Sequence, residues 1–325
     1  MEGKTLVQIK KLKKNYPIFS GLIQKVIGNV HAVAGVDLII YEGETMGLVG
    51  ESGCGKTTLG KLVLRLEEPT DGQIYFNGDN ILNMDNREMR SIRRNMQIIF
   101  QDPFSSLNFR RNVRQILEEP FIVHKTSNLK LERRERIKNL LREVGLRPEH
   151  IEYYPHQFSG GQAQRIAIAR AIALNPKFIV CDEPVSALDV SVQAQAINLL
   201  EELQEKYQLT YLFISHDLSV VAHICNKISV MYLGRIVEMS STKNICQKPM
   251  HPYTKALIAA SPIPNPFHQK KEKIILKGDV PSPIDPPSGC HFHTRCPYAF
   301  NRCDKEIPDL LEIAPGHWVR CFLFK

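Results

Sequence analysis

The chain has 325 residues, 43% of them apolar and 23% charged, and a formal net charge of +8. That length accommodates one large α/β domain with an appendage and buries a substantial core, and the composition excludes a disordered or fibrous chain. No apolar run reaches the 18 residues of a membrane span, and no apolar h-region accompanies the charges at Glu2, Lys4, Lys10 and Lys11, so a cytosolic chain without a signal peptide is expected. The positive charge raises the question of nucleic acid or an anionic membrane surface. Most basic residues, however, fall in mixed-sign runs such as Lys130-Leu131-Glu132-Arg133-Arg134-Glu135-Arg136, which read as solvated helix faces. Eight cysteines in a cytosolic chain argue against a disulfide framework.

In chain order, residues 6–9 begin a strand, and Tyr16 follows as an aromatic residue able either to pack or to stack on a base. Residues 17–30 have no clear period and read as an insertion loop carrying a short helix; 33–40 read as a strand ending in the turn Glu42-Gly43. Residues 44–49 form a short buried strand that leads into Gly50-Glu51-Ser52-Gly53-Cys54-Gly55-Lys56-Thr57-Thr58, a match to the phosphate-binding pattern G-x-x-x-x-G-K-[ST]. Leu59, Leu62, Val63 and Leu66 then recur at helical spacing. In that setting backbone N–H groups and a helix N-terminus cradle phosphates. Lys56 reaches the β- and γ-phosphates, and Thr57 offers a hydroxyl to Mg²⁺.

Residues 72–78 are a strand closed by Asn77-Gly78, and 96–100 a second β-run ending at Gln101-Asp102-Pro103. From 113 to 174 the pattern is helical, a subdomain of about 102–175 inserted into the sheet. Phe158-Ser159-Gly160-Gly161-Gln162 interrupts it just ahead of a helix, a second anion-binding geometry that by itself also fits an ordinary serine cap. Residues 177–183 are an apolar strand ending in two carboxylates. Asp182 suits Mg²⁺, and Glu183 suits orienting an attacking water. Residues 210–215 are a further core strand with His216 at its carboxyl end, where ligands of open α/β sheets collect. A hairpin around Gly234 closes the sheet.

Together these residues resemble the ATP-binding subunits of ABC transporters over positions 5 to about 245. Residues 50–57 match the Walker A motif and 178–182 the Walker B. Gln101 matches the Q-loop, and Ser186-Ala187-Leu188-Asp189 the D-loop. His216 matches the switch histidine. Residues 158–162 match the signature, with Phe158 where leucine is common. The resemblance implies an α/β P-loop ATPase core with a mixed sheet. ATP is held by Tyr16 stacked on adenine, by residues 50–58 and by Gln101 and Asp182; Mg²⁺ sits near Thr57, Gln101 and Asp182. Catalysis falls to Glu183, His216, Gln101 and Lys56. It also implies that Ser159, Gly160, Gly161 and Gln162 face the ATP of a second subunit, and that Asp189 is the D-loop residue.

A longer match narrows the family. Residues 52–55, 158–165 and 186–195, with His251-Pro252-Tyr253-Thr254-Lys255-Ala256-Leu257, Pro281-Ser282-Pro283 and Gly289-Cys290, resemble the oligopeptide/dipeptide permease ATPases, most like the F-type subunit. That implies an ATP-binding domain over 1–248 and a family-type C-terminal extension over 249–325. The implied partners are a paralogous ATPase in a heterodimer, two transmembrane permease subunits and an extracellular substrate-binding protein, with the chain peripheral on the cytoplasmic face of the membrane. Nickel or another small solute is an alternative cargo. A soluble ATPase acting on nucleic acid or the ribosome has only the net charge in its favour, and no nucleic-acid partner is expected.

The extension reads as a linker and a small irregular module. Its cysteines, Cys290, Cys296, Cys303 and Cys321, are spaced C-x₅-C-x₆-C-x₁₇-C, which suits neither a zinc site nor a ferredoxin cluster, and spacing leaves a metal site and unliganded thiols equally open. The resemblance implies a structural [4Fe–4S] cluster on these four. His291, His293 and His317 are substitute ligands if zinc is the occupant.

Overall fold

A computed structural model describes residues 3–20, 25–126, 129–260 and 278–324. The chain opens with two long strands, β1 (Thr5–Ser20) and β2 (Lys25–Tyr41), followed by the fully buried β3 (Thr45–Val49), α1 (Lys56–Val63), β4 (Asp71–Phe76) and β5 (Asp79–Asn80). Strand therefore replaces the insertion loop and short helix expected over 17–30; positions 21–24 lie outside the described residues. Phe19, Val26 and Ile27 are β-formers, but all are exposed, so no buried face imposes the alternation that marks a strand. Pro17 is tolerated because β4 pairs with β1 only as far as Lys13, opposite Asp71. Beyond that point its missing N–H leaves no gap in the β4 ladder.

Next come α2 (Asn86–Arg93), β6 (Met96–Ile99), α3 (Pro103–Ser106), α4 (Val113–Val123), α5 (Lys130–Glu143), α6 (Gly160–Ile172), β7 (Phe178–Asp182), α7 (Val190–Tyr207) and β8 (Thr210–Ser215). Then follow α8 (Leu218–Ile224), β9 (Lys227–Tyr232), β10 (Arg235–Ser241), α9 (Thr242–Gln247), α10 (Pro252–Ala260), β11 (Leu311–Ala314) and β12 (His317–Val319). No helix among the described residues is long and apolar enough to cross a membrane.

The elements form two compact units. One comprises Thr5–Ile40, Thr45–Leu82 and Ile214–Lys325. Within it, one sheet runs β2-β1-β4-β5. In a second set, β3 lies parallel to β9, while β10 joins β9 and β12 antiparallel and β12 joins β11. The C-terminal extension is therefore less irregular than its prolines suggest. Its hairpin continues the β9–β10 ladder, placing Trp318 opposite Met239 and Val319 opposite Glu238.

The other unit comprises Met1–Lys4, Tyr41–Glu44 and Asn83–Phe213. Here β6 and β7 pair in parallel, and the expected helical subdomain is present as α3 to α6. Helix α4 buries Val113, Ile116, Leu117 and Phe121, while α5 buries Ile137, Leu140 and Leu141. Each such side chain contributes on the order of 2 kcal/mol of apolar burial. Glu118, nearly buried, pairs with Arg114 at 3.2 Å on its own helix and with Arg133 of α5 at 2.8 Å, fixing how the two helices meet.

Candidate nucleotide-binding site

Strand β3 carries the chain into the phosphate loop in register with β9, Val49 opposite Val230. Gly55 then takes φ +105°, and a Cβ there would stand 2.0 Å from the Ala32 carbonyl oxygen, so only glycine closes the turn into α1. The first-turn N–H groups of α1 have no intrahelical acceptor, which leaves them for an anion. Lys56 is buried and donates to the carbonyls of Gly50 at 2.8 Å and Glu51 at 3.0 Å. Ser52, Gly53 and Thr57 are exposed, Gly55 and Thr58 partly so, and the buried Cys54 thiol is pushed up in pKa by that burial.

Tyr16 stands over the same helix. Its hydroxyl donates to Glu67 and interacts with Thr58, and the Lys14 ammonium lies 4.8 Å from its ring centroid. Burial, followed by the Glu67 contact, raises its phenol pKa. His216 is exposed one residue beyond β8, where the Ser215 hydroxyl accepts from the Asp217 N–H at 3.0 Å and starts α8.

In the other unit, β7 ends on buried Asp182 and half-buried Glu183. Glu183 has φ +47°, a left-handed backbone that costs a non-glycine residue on the order of 1 kcal/mol and redirects its side chain. Its carbonyl is held by the Ser186 hydroxyl at 3.1 Å, and its carboxylate accepts from the Gln101 side-chain amide at 2.9 Å. The expected neighbours of the γ-phosphate chemistry thus include one contact between the Q-loop glutamine and the Walker B glutamate.

Helix α6 begins at Gly160, so both signature glycines lie inside its first turn rather than ahead of it. Ser159 and Gln162 form a capping box, each side chain meeting the other's N–H, which leaves the exposed N-terminus rigid. A Cβ on Gly161 would meet Val192 Cγ1 at 2.4 Å, so any side chain there would force Val192 or α6 itself to shift. Asp189 is the exposed N-cap of α7 and makes no side-chain cap bond.

Sequence reasoning misses three residues that fasten the C-terminal extension. Glu238 is fully buried, and its carboxylate accepts from the N–H groups of Met250 and His251, each at 2.8 Å, and meets His317 Nε2 at 2.7 Å. Its place in the run Arg235-Ile236-Val237-Glu238-Met239 is the signal available: a charge at an inward strand position. Tyr253 packs with Tyr232 and Phe292, ring centroids 4.7 and 5.5 Å away, and its hydroxyl accepts from the Glu51 N–H at 2.9 Å. Arg295 binds the Glu51 carboxylate through both terminal nitrogens, at 2.8 and 3.2 Å, across 244 positions of sequence that carry no local hint of it.

Two of the tail cysteines meet through the backbone, where the Cys290 N–H donates to the Cys303 carbonyl at 2.8 Å. Burial raises the pKa values of the Cys290, Cys296 and Cys321 thiols. Among the described residues, no set of three or more His, Cys, Asp or Glu side chains could hold a metal ion. The expected [4Fe–4S] cluster, and zinc with His291, His293 or His317 as substitutes, therefore find no fitting donor set in this arrangement.

Comparison with known proteins agrees with the geometry. A family profile described as ABC transporter matches residues 33–186, and one described as the C-terminal region of oligopeptide/dipeptide transporters matches 237–303. The chain is 52% identical over 322 residues to the oligopeptide transport ATP-binding protein AppF of Bacillus subtilis (strain 168), covering 98% of each. It is 51% identical over 316 residues to a putative peptide import ATP-binding protein of Brucella ovis, covering 97% of each. Among solved structures it resembles MJ0796, a bacterial ABC transporter cassette seen as a dimer, with a TM-score of 0.65 and 30% identity over 73% of this chain and 99% of that one. The chain belongs to the ATP-binding subunits of the oligopeptide/dipeptide ABC transporter family.

Proposed function

We propose that the chain is the ATP-hydrolysing subunit of an importer that takes up oligopeptides or dipeptides across the cytoplasmic membrane. One observation carries this reading: identity of about half the residues extends over 98% of the chain, through the C-terminal extension as well as the cassette. ATP is bound by residues 50–58, with Tyr16 against the base. Lys56 moves its ammonium from loop carbonyls to phosphate oxygens. Asp182, Thr57 and Gln101 offer the oxygen donors that suit Mg²⁺, which neutralises phosphate charge when bound. Glu183 orients the attacking water and accepts its proton, Gln101 holds that carboxylate, and His216 contacts the γ-phosphate. Catalysis is then positioning and charge neutralisation rather than covalent chemistry.

The exposed N-terminus of α6, with Ser159, Gly160, Gly161 and Gln162, and Asp189 beside it serve the ATP of a second cassette, in a heterodimer with a paralogous ATPase. Residues 1–248 act as the cassette and 249–325 as the extension. The chain works peripherally on the cytoplasmic face, with two permease subunits and a substrate-binding protein. A cluster on Cys290, Cys296, Cys303 and Cys321 rests on the resemblance alone; iron and acid-labile sulfide assays of anaerobically purified protein decide it.

The test is reconstitution of the complete transporter in proteoliposomes. Peptide-loaded binding protein should stimulate phosphate release and peptide should accumulate inside. Stimulation by nickel-loaded binding protein, with none by peptide, would replace the cargo while keeping the ATPase.

A further inference from the structure

The C-terminal extension grips the phosphate loop at Glu51, and every polar group of that residue is engaged. Its N–H donates to the Tyr253 hydroxyl at 2.9 Å, and its carbonyl accepts from Lys56 Nζ at 3.0 Å. Its carboxylate takes the two-pronged guanidinium of Arg295, whose side chain is only 8% exposed. The planar fork fixes orientation as well as distance, and shielding from water makes the pair stronger than a surface ion pair. Behind it, Tyr232, Tyr253 and Phe292 form one aromatic cluster, and the Arg295 guanidinium lies 5.9 Å from the Tyr232 ring centroid. That backing denies both gripping side chains the freedom to follow the loop.

Loops that cradle phosphate bind tightly when their N–H groups are already aimed, because the ordering cost is met before the ligand arrives. A brace that serves only to fasten the tail would have no reason to end on the second residue of the loop, beside the carbonyl that holds the catalytic lysine. We propose that Arg295 and Tyr253 are positioning residues for ATP: they hold Glu51, and with it the turn of the phosphate loop, in the shape that receives phosphates. The proposal rests on residues 50–58 being the ATP site, as argued above.

The full-length chain tests it by calorimetric titration with Mg-ATP, alongside the thermal midpoint without nucleotide. Arg295→Met keeps the aliphatic bulk and removes the fork; ATP affinity should fall roughly tenfold while the midpoint moves by only a few degrees. Arg295→Lys should recover part of the loss, since an ammonium supplies charge without the fork. Arg302→Ala, which removes an exposed pair with Glu306 in the same extension, should bind like the parent. Glu51→Gln should match Arg295→Met, and the double variant should be no worse than either, because all three lose one shared contact. In the assembled transporter carrying Arg295→Met, KM for ATP should rise with kcat at saturating ATP unchanged. Parent-like affinity in Arg295→Met, or losses that multiply in the double variant, would overturn the proposal. Should Arg295→Met not fold, Glu51→Gln decides alone, and parent-like affinity there overturns it. A parent chain unable to bind ATP would instead sink the reading of the site itself.

Discussion

Gln101 and Glu183, 82 positions apart, meet through an amide-to-carboxylate hydrogen bond of 2.9 Å. Glutamate at this position holds its side chain from a left-handed backbone, so both the turn and the amide set where its oxygens lie. Glu183→Gln should bind ATP within a few-fold of the parent yet lose hydrolysis by about 10²-fold or more, since a neutral amide cannot take the proton from water. Gln101→Ala should cost less, because the carboxylate survives and only its orientation loosens. Phosphate-release assays on the assembled transporter check both, and a Glu183→Gln enzyme working at the parental rate removes that residue from catalysis.

Close contact at the signature makes a second expectation. Gly161→Ala forces a methyl against Val192, so Val192 or α6 itself must shift at about 1–3 kcal/mol. Hydrolysis should fall while ATP binding holds, since the phosphate loop is untouched. Val192→Ala should restore activity to Gly161→Ala by opening the space. Failure of that rescue would show that the glycine is required for something other than room.

The buried carboxylate of Glu238 ties Met250, His251 and His317 to β10. Glu238→Ala strands two N–H groups and an imidazole, and should destabilise the chain by about 3 kcal/mol, with the extension becoming protease-sensitive first. Limited proteolysis followed by mass mapping reads this directly; cleavage beginning elsewhere would contradict the anchor.

Two histidines of the extension resist protonation. Burial holds His251 down to about 3 and His291 down to about 4, with Lys255 and Arg235 respectively adding to the effect. In the unfolded chain both titrate near 6.5. Their contribution is therefore complete above that pH and is lost as pH falls from about 6.5 toward 4, because only the unfolded chain gains protons in that window. Urea unfolding at pH 7.5 and pH 5 should show the loss, and His251→Asn should flatten it. An unchanged pH slope in that variant would assign the acid sensitivity elsewhere.

A site completed by a second cassette implies that the chain alone binds ATP but turns it over slowly, with activity rising more than in proportion to concentration. Brisk turnover at constant specific activity on dilution would contradict shared catalysis.

Much of this site is legible in the linear sequence because the chemistry needs contiguous residues. Gly50 to Thr58 must curl as one loop, Asp182 and Glu183 must follow a buried strand, and Ser159 to Gln162 must open a helix. Local periodicity also suffices for the helical subdomain, whose apolar faces repeat at 3.6 residues. It fails over 17–30, where the long strands have exposed apolar side chains and so no pattern to read. It also fails in the extension, where prolines suggest irregularity but β11 and β12 find order by joining the edge of β10.

By itself, then, the sequence determined the reaction class and the transporter family, both of which depend on short motifs and their order. The tertiary structure alone decided what holds those motifs in place: Gln101 on Glu183, Val192 against Gly161, and Arg295 and Tyr253 on Glu51. The physical reason is that a fork meeting a carboxylate, or a methyl filling the space over a glycine, is satisfied at a distance of a few ångströms by residues tens or hundreds of positions away. No local propensity or spacing records such a pairing; only the folded chain brings its members together.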